Sequence, residues 1–421
     1  MADVQPFRGL RYDPEVVELS QVLAPPYDVI GAQLQAQLYA RAMQNVVRFE
    51  LGRARDDDLP GVRDRYLRAR GHLAAWRQTG VMVQESRPSL YLHAHAFHPP
   101  EGGPLERIGV FAAVTPEPWD RGIVLRHEHT LSGPKQDRLR LLEATGVQGS
   151  PVFALWEDGE RAAAALHRYA ATTPPAAEAV TDGESGHERH RLWVLEEGGS
   201  GGDVVDSVRS SLTESRLVIA DGHHRYETAL AYAAAHPEVP ARVLMLLAPL
   251  DDASHVILAT HRILAGWSGA PGTLRAGLEA TGYRWESARN PRAALRRMAA
   301  LRPHAHAFGV VAAGESAVAH RERRPVASPS AGLDVTVLQE EVLGALLGID
   351  EEAVAAGRLR FSRDGDEVAA LATASDGIGL LVNPTSVAEV ADVARAGESM
   401  PQKSTYFFPK VPTGLVLLPV T

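Results

Sequence analysis

Leu217-Val-Ile-Ala-Asp221-Gly222-His223-His224-Arg225-Tyr-Glu-Thr-Ala-Leu230 is the stretch whose reading decides the rest. It opens on a short β-branched apolar run, turns at Asp-Gly and continues into an Ala- and Leu-rich pattern, which predicts a strand, a tight turn and a helix. Amides at a helix start have no intrahelical acceptor, and the helix dipole favours negative charge there. Gly222 lets the backbone come close to a ligand, and Arg225 can fork onto two phosphate oxygens. Asp221, His223 and His224 add titratable groups within one turn. The plainer reading makes Asp221 a helix cap beside ordinary surface histidines. It suits a lone Asp-Gly better than five polar groups behind a buried strand.

Working outward, the 421-residue chain is 45% hydrophobic, ample for a sizeable core in two or three domains. A net charge of -9 argues against a protein whose main partner is nucleic acid. The absence of cysteine excludes disulfides, thiolate metal sites and a thiol nucleophile. Met1-Ala2-Asp3 begins no signal sequence, and no apolar run approaches the roughly 18 residues that span a bilayer. A cytoplasmic protein with no membrane partner is the expectation, with a homo-oligomer open.

The pattern of the whole chain predicts an α/β protein with mixed sheets: a larger N-terminal part, residues 1–265, containing the central turn, and a smaller C-terminal α/β part, residues 266–421, ending in a Lys-Ser-Thr loop. In the first part, Pro25-Pro26 presents Tyr27 and Asp28 on stiff backbone. Ser89 to Phe97 and Ile108 to Val114 read as neighbouring strands, the first carrying His93 and His95 on one face. Such a pair can ligate zinc, but without a matching third ligand it reads as polar residues on a sheet face. Arg126, His127, Glu128, Lys135 and Arg138 crowd a passage from strand through loop to helix. Basic residues at a helix start oppose the dipole, so an anion is expected to offset them; pairing with Asp137 and Glu143 is the plain alternative. Arg262 sits in an apolar frame and needs a carboxylate or phosphate partner. Asp334 or Thr336 is expected to cap a helix. Lys403, Ser404, Thr405 and Lys410 form a donor-rich loop among aromatics and prolines.

Several of these strings together resemble the DUF1015 family: Ala24-Pro-Pro-Tyr-Asp28, Arg126-His-Glu-x-Thr130 with Lys135 and Arg138, Asp221-Gly-His-His-Arg225, Thr260-His-Arg262, and Met400-Pro-Gln-Lys-Ser-Thr405 through Lys410 to Thr413-Gly. Ala259 stands where the family pattern has Pro, and His93 and His95 fall outside the pattern. Over the Asp-Gly-His-His-Arg turn that family is similar to the ParB/sulfiredoxin superfamily, which includes kinases of free L-serine. The resemblance implies a ParB/sulfiredoxin-like core in the N-terminal part. Sulfiredoxin chemistry needs a Cys where this chain has His223, and the acidic charge does not suit a DNA-reading member.

The resulting expectation is nucleotide-dependent phosphoryl transfer to a small hydroxyl compound, a free amino acid such as L-serine first, with ATP or ADP and Mg²⁺. Gly222, His223, His224 and Arg225 are assigned to the phosphates. Arg126, Lys135, Arg138, Arg262, Lys403, Ser404 and Thr405 supply further donors. Asp221 lies near the metal, Glu128 is the first candidate base with His127 beside it, and Asp28 is the second. Two alternatives stand beside this one: a metal-dependent phosphohydrolase using Asp221, His223, His224 and His127, and a non-catalytic nucleotide-binding regulatory protein.

Overall fold

The computed structural model describes residues 2–128, 132–157, 159–184, 186–213, 215–267, 269, 271–350, 353–354 and 357–420. The fold is mixed α/β with several sheets, divided into two compact units. The first comprises Met1–Arg126, Thr130–Val256 and Phe408–Thr421; the second comprises His127–His129 and Ile257–Phe407.

The first unit is built on a nine-stranded sheet. Its strands run in the order Val124–Leu125, Leu217–Asp221, Val152–Trp156, Val243–Pro249, Leu105–Val114, Ser89–Phe97, Gly186–Glu196, Ala177–Gly183, and Val4–Gln5 joins the Leu105 strand. Leu217–Asp221 pairs parallel with Val124–Leu125 and antiparallel with Val152–Trp156, so the sheet is mixed. Period-two alternation sorts the side chains. Leu90, Leu92, Ala94, Ile108, Val110, Val152, Ala154, Trp156, Leu217 and Ile219 enter one apolar core. The helices Glu160–Thr172, Gly202–Thr213 and His223–Ala235 add Leu166, Val208 and Tyr226 to that core. Residues of the opposite parity include His93, His95, Arg107, Glu188 and His190, which are also buried. One side of the sheet is thus filled with hydrocarbon and the other carries a buried polar seam.

The central turn forms as its sequence predicts. Leu217–Asp221 ends in Gly222, whose φ of 96° lies in the left-handed region, and the helix His223–Ala235 follows directly. A Cβ at Gly222 meets the Arg225 guanidinium carbon at 3.0 Å, so glycine is required by conformation and by close approach.

The second unit holds a six-stranded antiparallel sheet in the order Arg284–Ala288, Glu315–Glu322, Ala305–Ala312, Ile378–Val382, His261–Leu264, Leu359–Ser362. Ile263, Met298, Val311, Val318, Val368 and Leu381 fill its core. The expected capping by Asp334 or Thr336 does not occur. Asp334 is the first residue of its helix rather than the cap, and its carboxylate bonds His306, Arg323 and Asn383, while the Thr336 hydroxyl is buried without a hydrogen-bond partner among the described residues. A buried carboxylate gains more from a cation and two polar side chains than from exposed amides at a helix start.

No helix among the described residues is long and apolar enough to cross a membrane. Two glycine substitutions separate the backbone demands of the fold. Gly222→Ala is expected to destabilise the protein by about 1–3 kcal/mol in a denaturant titration. Gly71→Ala, in mid-helix with open space around its Cβ, is expected to stabilise it by about 0.5–1 kcal/mol.

Candidate functional site

In the first unit, Asp221 is the electrostatic centre. Its Oδ1 accepts from Lys410 Nζ and its Oδ2 from Arg225 Nη2, both in short contacts. Burial pushes this carboxyl up, but the Lys410 ammonium and the Arg225 guanidinium win and hold it well below the usual carboxylate range. Arg225 is itself largely buried: Nη1 donates to the Pro151 carbonyl, and Asp221 and then Asp28 offset the cost of burying its charge. Both faces of the expected phosphate fork are therefore committed to protein oxygens. His223 is buried at the helix start and also favours the ionised Asp221, and His224 follows it on the first turn.

A second ion-paired group adjoins this one. Arg138 Nη1 donates to Glu50 Oε1 at 3.1 Å and to the Glu50 carbonyl at 2.8 Å, and its Nη2 pairs with Asp137. The Arg138 guanidinium lies 4.2 Å from the Tyr27 ring centroid. Pro26 caps the 3-10 turn Tyr27–Val29 that presents Tyr27 and the exposed Asp28. Burial drives the Tyr27 phenol up to about 12, so it remains a neutral donor. Ser150 donates to Glu50 Oε1 at 2.7 Å and lies 2.5 Å from the Thr413 hydroxyl. Between these residues opens a small cleft of about 40 Å³, lined by Glu50, Arg138, Gln148, Ser150, Arg225 and Thr228 together with Leu141, Leu142, Val147 and Ala229. Its lining combines charged and hydroxyl side chains with aliphatic ones.

The anion expected opposite the basic cluster is supplied by the protein. Lys135 Nζ lies 2.8 Å and Arg126 Nη1 3.8 Å from the Glu227 carboxylate, both cations partly exposed. Arg126 also sits over the Trp119 ring at 5.3 Å. Thr130 lies outside the described residues.

The remaining expected residues gather in the second unit. The Met400 amide donates to the His127 carbonyl at 2.8 Å, and His127 Nε2 meets the Thr405 hydroxyl at 3.0 Å. The Lys403 amide points to Glu128 Oε1 at 3.3 Å from a left-handed backbone, φ 58°, that is uncommon outside glycine. Ser404 donates to the Pro401 carbonyl. Arg262 is fully buried; burial lowers it to about 10, against the pull of Glu128, and it donates to the Thr260 carbonyl. Its hydrogen bonds go to backbone carbonyls, of Thr260 and at 3.5 Å of Lys403, and the charge of Glu128 offsets part of its burial.

Residues 4–336 match the family described as protein of unknown function, DUF1015. The chain belongs to the DUF1015 family. No curated protein matches it. Among solved structures, a variant of free serine kinase in complex with ADP is 13% identical, with 74% of this chain and 92% of that chain covered at a TM-score of 0.39. Free serine kinase in complex with AMP is 14% identical, with 74% and 91% covered at 0.38. A conserved hypothetical protein from Pyrococcus furiosus is 14% identical, with 72% and 93% covered at 0.35. At such identities and scores the site of this DUF1015 member has to be read from its own residues.

Reading the sequence assigned no role to Glu50, Gln148, Ser150 or Thr413, and placed Lys410 only in a donor-rich loop. Glu50 carried no signal beyond being a charged residue between Phe49 and Leu51; only folding brings it to Arg138, 88 positions away.

Lys410→Met leaves Asp221 with one cation and is expected to cost about 3 kcal/mol, the low end for breaking a buried pair because Arg225 remains. Asp221 has a depressed folded pKa, so its contribution is complete above the ordinary value of 3.8 and is lost as pH falls through the folded value. Urea titrations are expected to show the full gap between wild type and Lys410→Met at neutral pH and its closure in acid. A gap that does not change with pH contradicts the pairing.

Proposed function

We propose that this protein transfers a phosphoryl group between a nucleotide and a small hydroxyl compound. The observation that supports this reading best is the Asp221–Gly222 turn itself. A buried carboxylate clamped by Arg225 and Lys410 fixes the start of a 13-residue helix beside a cleft lined with charged and hydroxyl side chains. Phosphoryl transfer asks mainly for positioning and charge neutralisation, which amides and cations supply. In this reading the amides of His223 and His224 meet the phosphates, and Arg126 and Lys135 turn from Glu227 to neutralise them. Arg225 acts through position, holding the turn. Asp28, exposed and close enough to Arg225 to favour its charge, is the candidate base of the first unit, and Glu128 that of the second. L-serine is the first acceptor to try, on the resemblance of the turn to that of free L-serine kinases.

Asp221 does not fit a direct magnesium ligand, because both of its oxygens already hold cations. Magnesium in this reading arrives with ATP or ADP, and no step depends on a protein ligand for it. The same commitment weakens the phosphohydrolase alternative, which needs Asp221 on a metal.

The test is ³¹P NMR of purified protein with Mg²⁺, ATP or ADP, and a panel of hydroxy amino acids and small alcohols. A phosphorylated product is expected. Lys135→Ala is expected to raise the nucleotide KM about 10-fold, and Asp28→Asn to lower kcat by about 100-fold or more. Nucleotide binding without product selects the regulatory alternative, and the absence of both overturns the proposal.

A further inference from the structure

We propose that His95, Glu188 and His190, in the buried seam of the first unit's sheet, bind a divalent transition metal of the zinc class, with an anionic oxygen in the open position beside Arg107. His95 lies directly opposite His190 in the antiparallel register, and Glu188, two residues earlier, shares the same face. Of the H-x-H pair only His95 takes part, and an E-x-H pattern on the neighbouring strand supplies the other two ligands. The three potential ligand atoms lie within 4.8 Å of one another, all in buried residues. His95 Nε2 is 2.9 Å from Glu188 Oε2, the separation of a hydrogen bond whose proton a metal can replace. Two imidazoles and a carboxylate are a zinc-type set that leaves one position of a tetrahedron open.

The surroundings fit that use. A ligating imidazole is normally held by a partner on its other nitrogen. Both nitrogens of His190 have partners, His93 Nε2 at 3.2 Å from Nδ1 and the Thr181 hydroxyl at 3.0 Å from Nε2; ligation displaces one of them and keeps the other as the orienting contact. The independent sign of a missing ligand is Arg107. Its Nη2 donates to the Pro409 carbonyl at 3.0 Å and lies 3.2 Å from His95 Nδ1, but Nε and Nη1 are buried with no acceptor among the described residues. A buried guanidinium with two idle donors is costly, and an oxygen anion on the metal relieves it. On binding, the proton of His95 moves from Nε2 to Nδ1; Arg107 Nη2 then keeps only Pro409.

The full chain, stripped with chelator, is titrated with Co²⁺ and followed by its visible absorption. About one ion per chain with tetrahedral d–d bands is expected, and Glu188→Gln and His190→Gln weaken binding by about 10-fold or more. His187→Gln, on an exposed side chain, leaves it unchanged. X-ray absorption on the wild-type cobalt form, which needs no variant to fold, is expected to show two imidazoles and oxygen ligands. No saturable spectrum in the wild type, or unchanged affinity in both variants, overturns the site and leaves the seam a proton-sharing network.

Discussion

A carboxylate between two cations governs the first unit. Asp221 ends the strand Leu217–Asp221, and burying its charge is tolerable only because Lys410 and Arg225 take one oxygen each. Those two contacts have different reach. Arg225 is four residues away and fixes the turn locally, laying its guanidinium over a glycine that has no side chain to obstruct it. Lys410 is 189 positions away and ties residues of the C-terminal segment to the same strand end. The helix that follows begins with its amides in a set direction because the residue before it is locked on both sides.

Around that point, charge is arranged in compensated pairs: Arg138 with Glu50 and Asp137, Lys135 and Arg126 with Glu227. Neither the buried Arg138 group nor the partly exposed pairs on Glu227 contribute much net stability. The second unit repeats the theme around Glu128, which supports buried Arg262 and receives the strained Lys403 amide.

Local chemistry was legible before folding. The strand, Asp-Gly turn and helix at Leu217–Ala235 follow from an apolar run, a breaker and helix-forming residues in sequence, and the paired strands Ser89 to Phe97 and Ile108 to Val114 from alternation. What adjoins what across long separations was not. Arg225 reads as a phosphate fork until Pro151 and Asp221 are seen to occupy it, and Asp334 reads as a cap until His306, Arg323 and Asn383 surround it. Glu50, Glu188 and His190 gave no signal because a single charged or imidazole side chain acquires meaning only from the strand or helix it meets. The family resemblance, carried by several strings in order, reached further than any one of them.

The most direct measurement is hydrogen–deuterium exchange of the intact protein with and without Mg²⁺ and ATP or ADP. If the turn seats a polyphosphate, protection on nucleotide binding centres on the amides from Gly222 to Arg225. Nucleotide binding that leaves those four amides unchanged and protects a different surface contradicts the account.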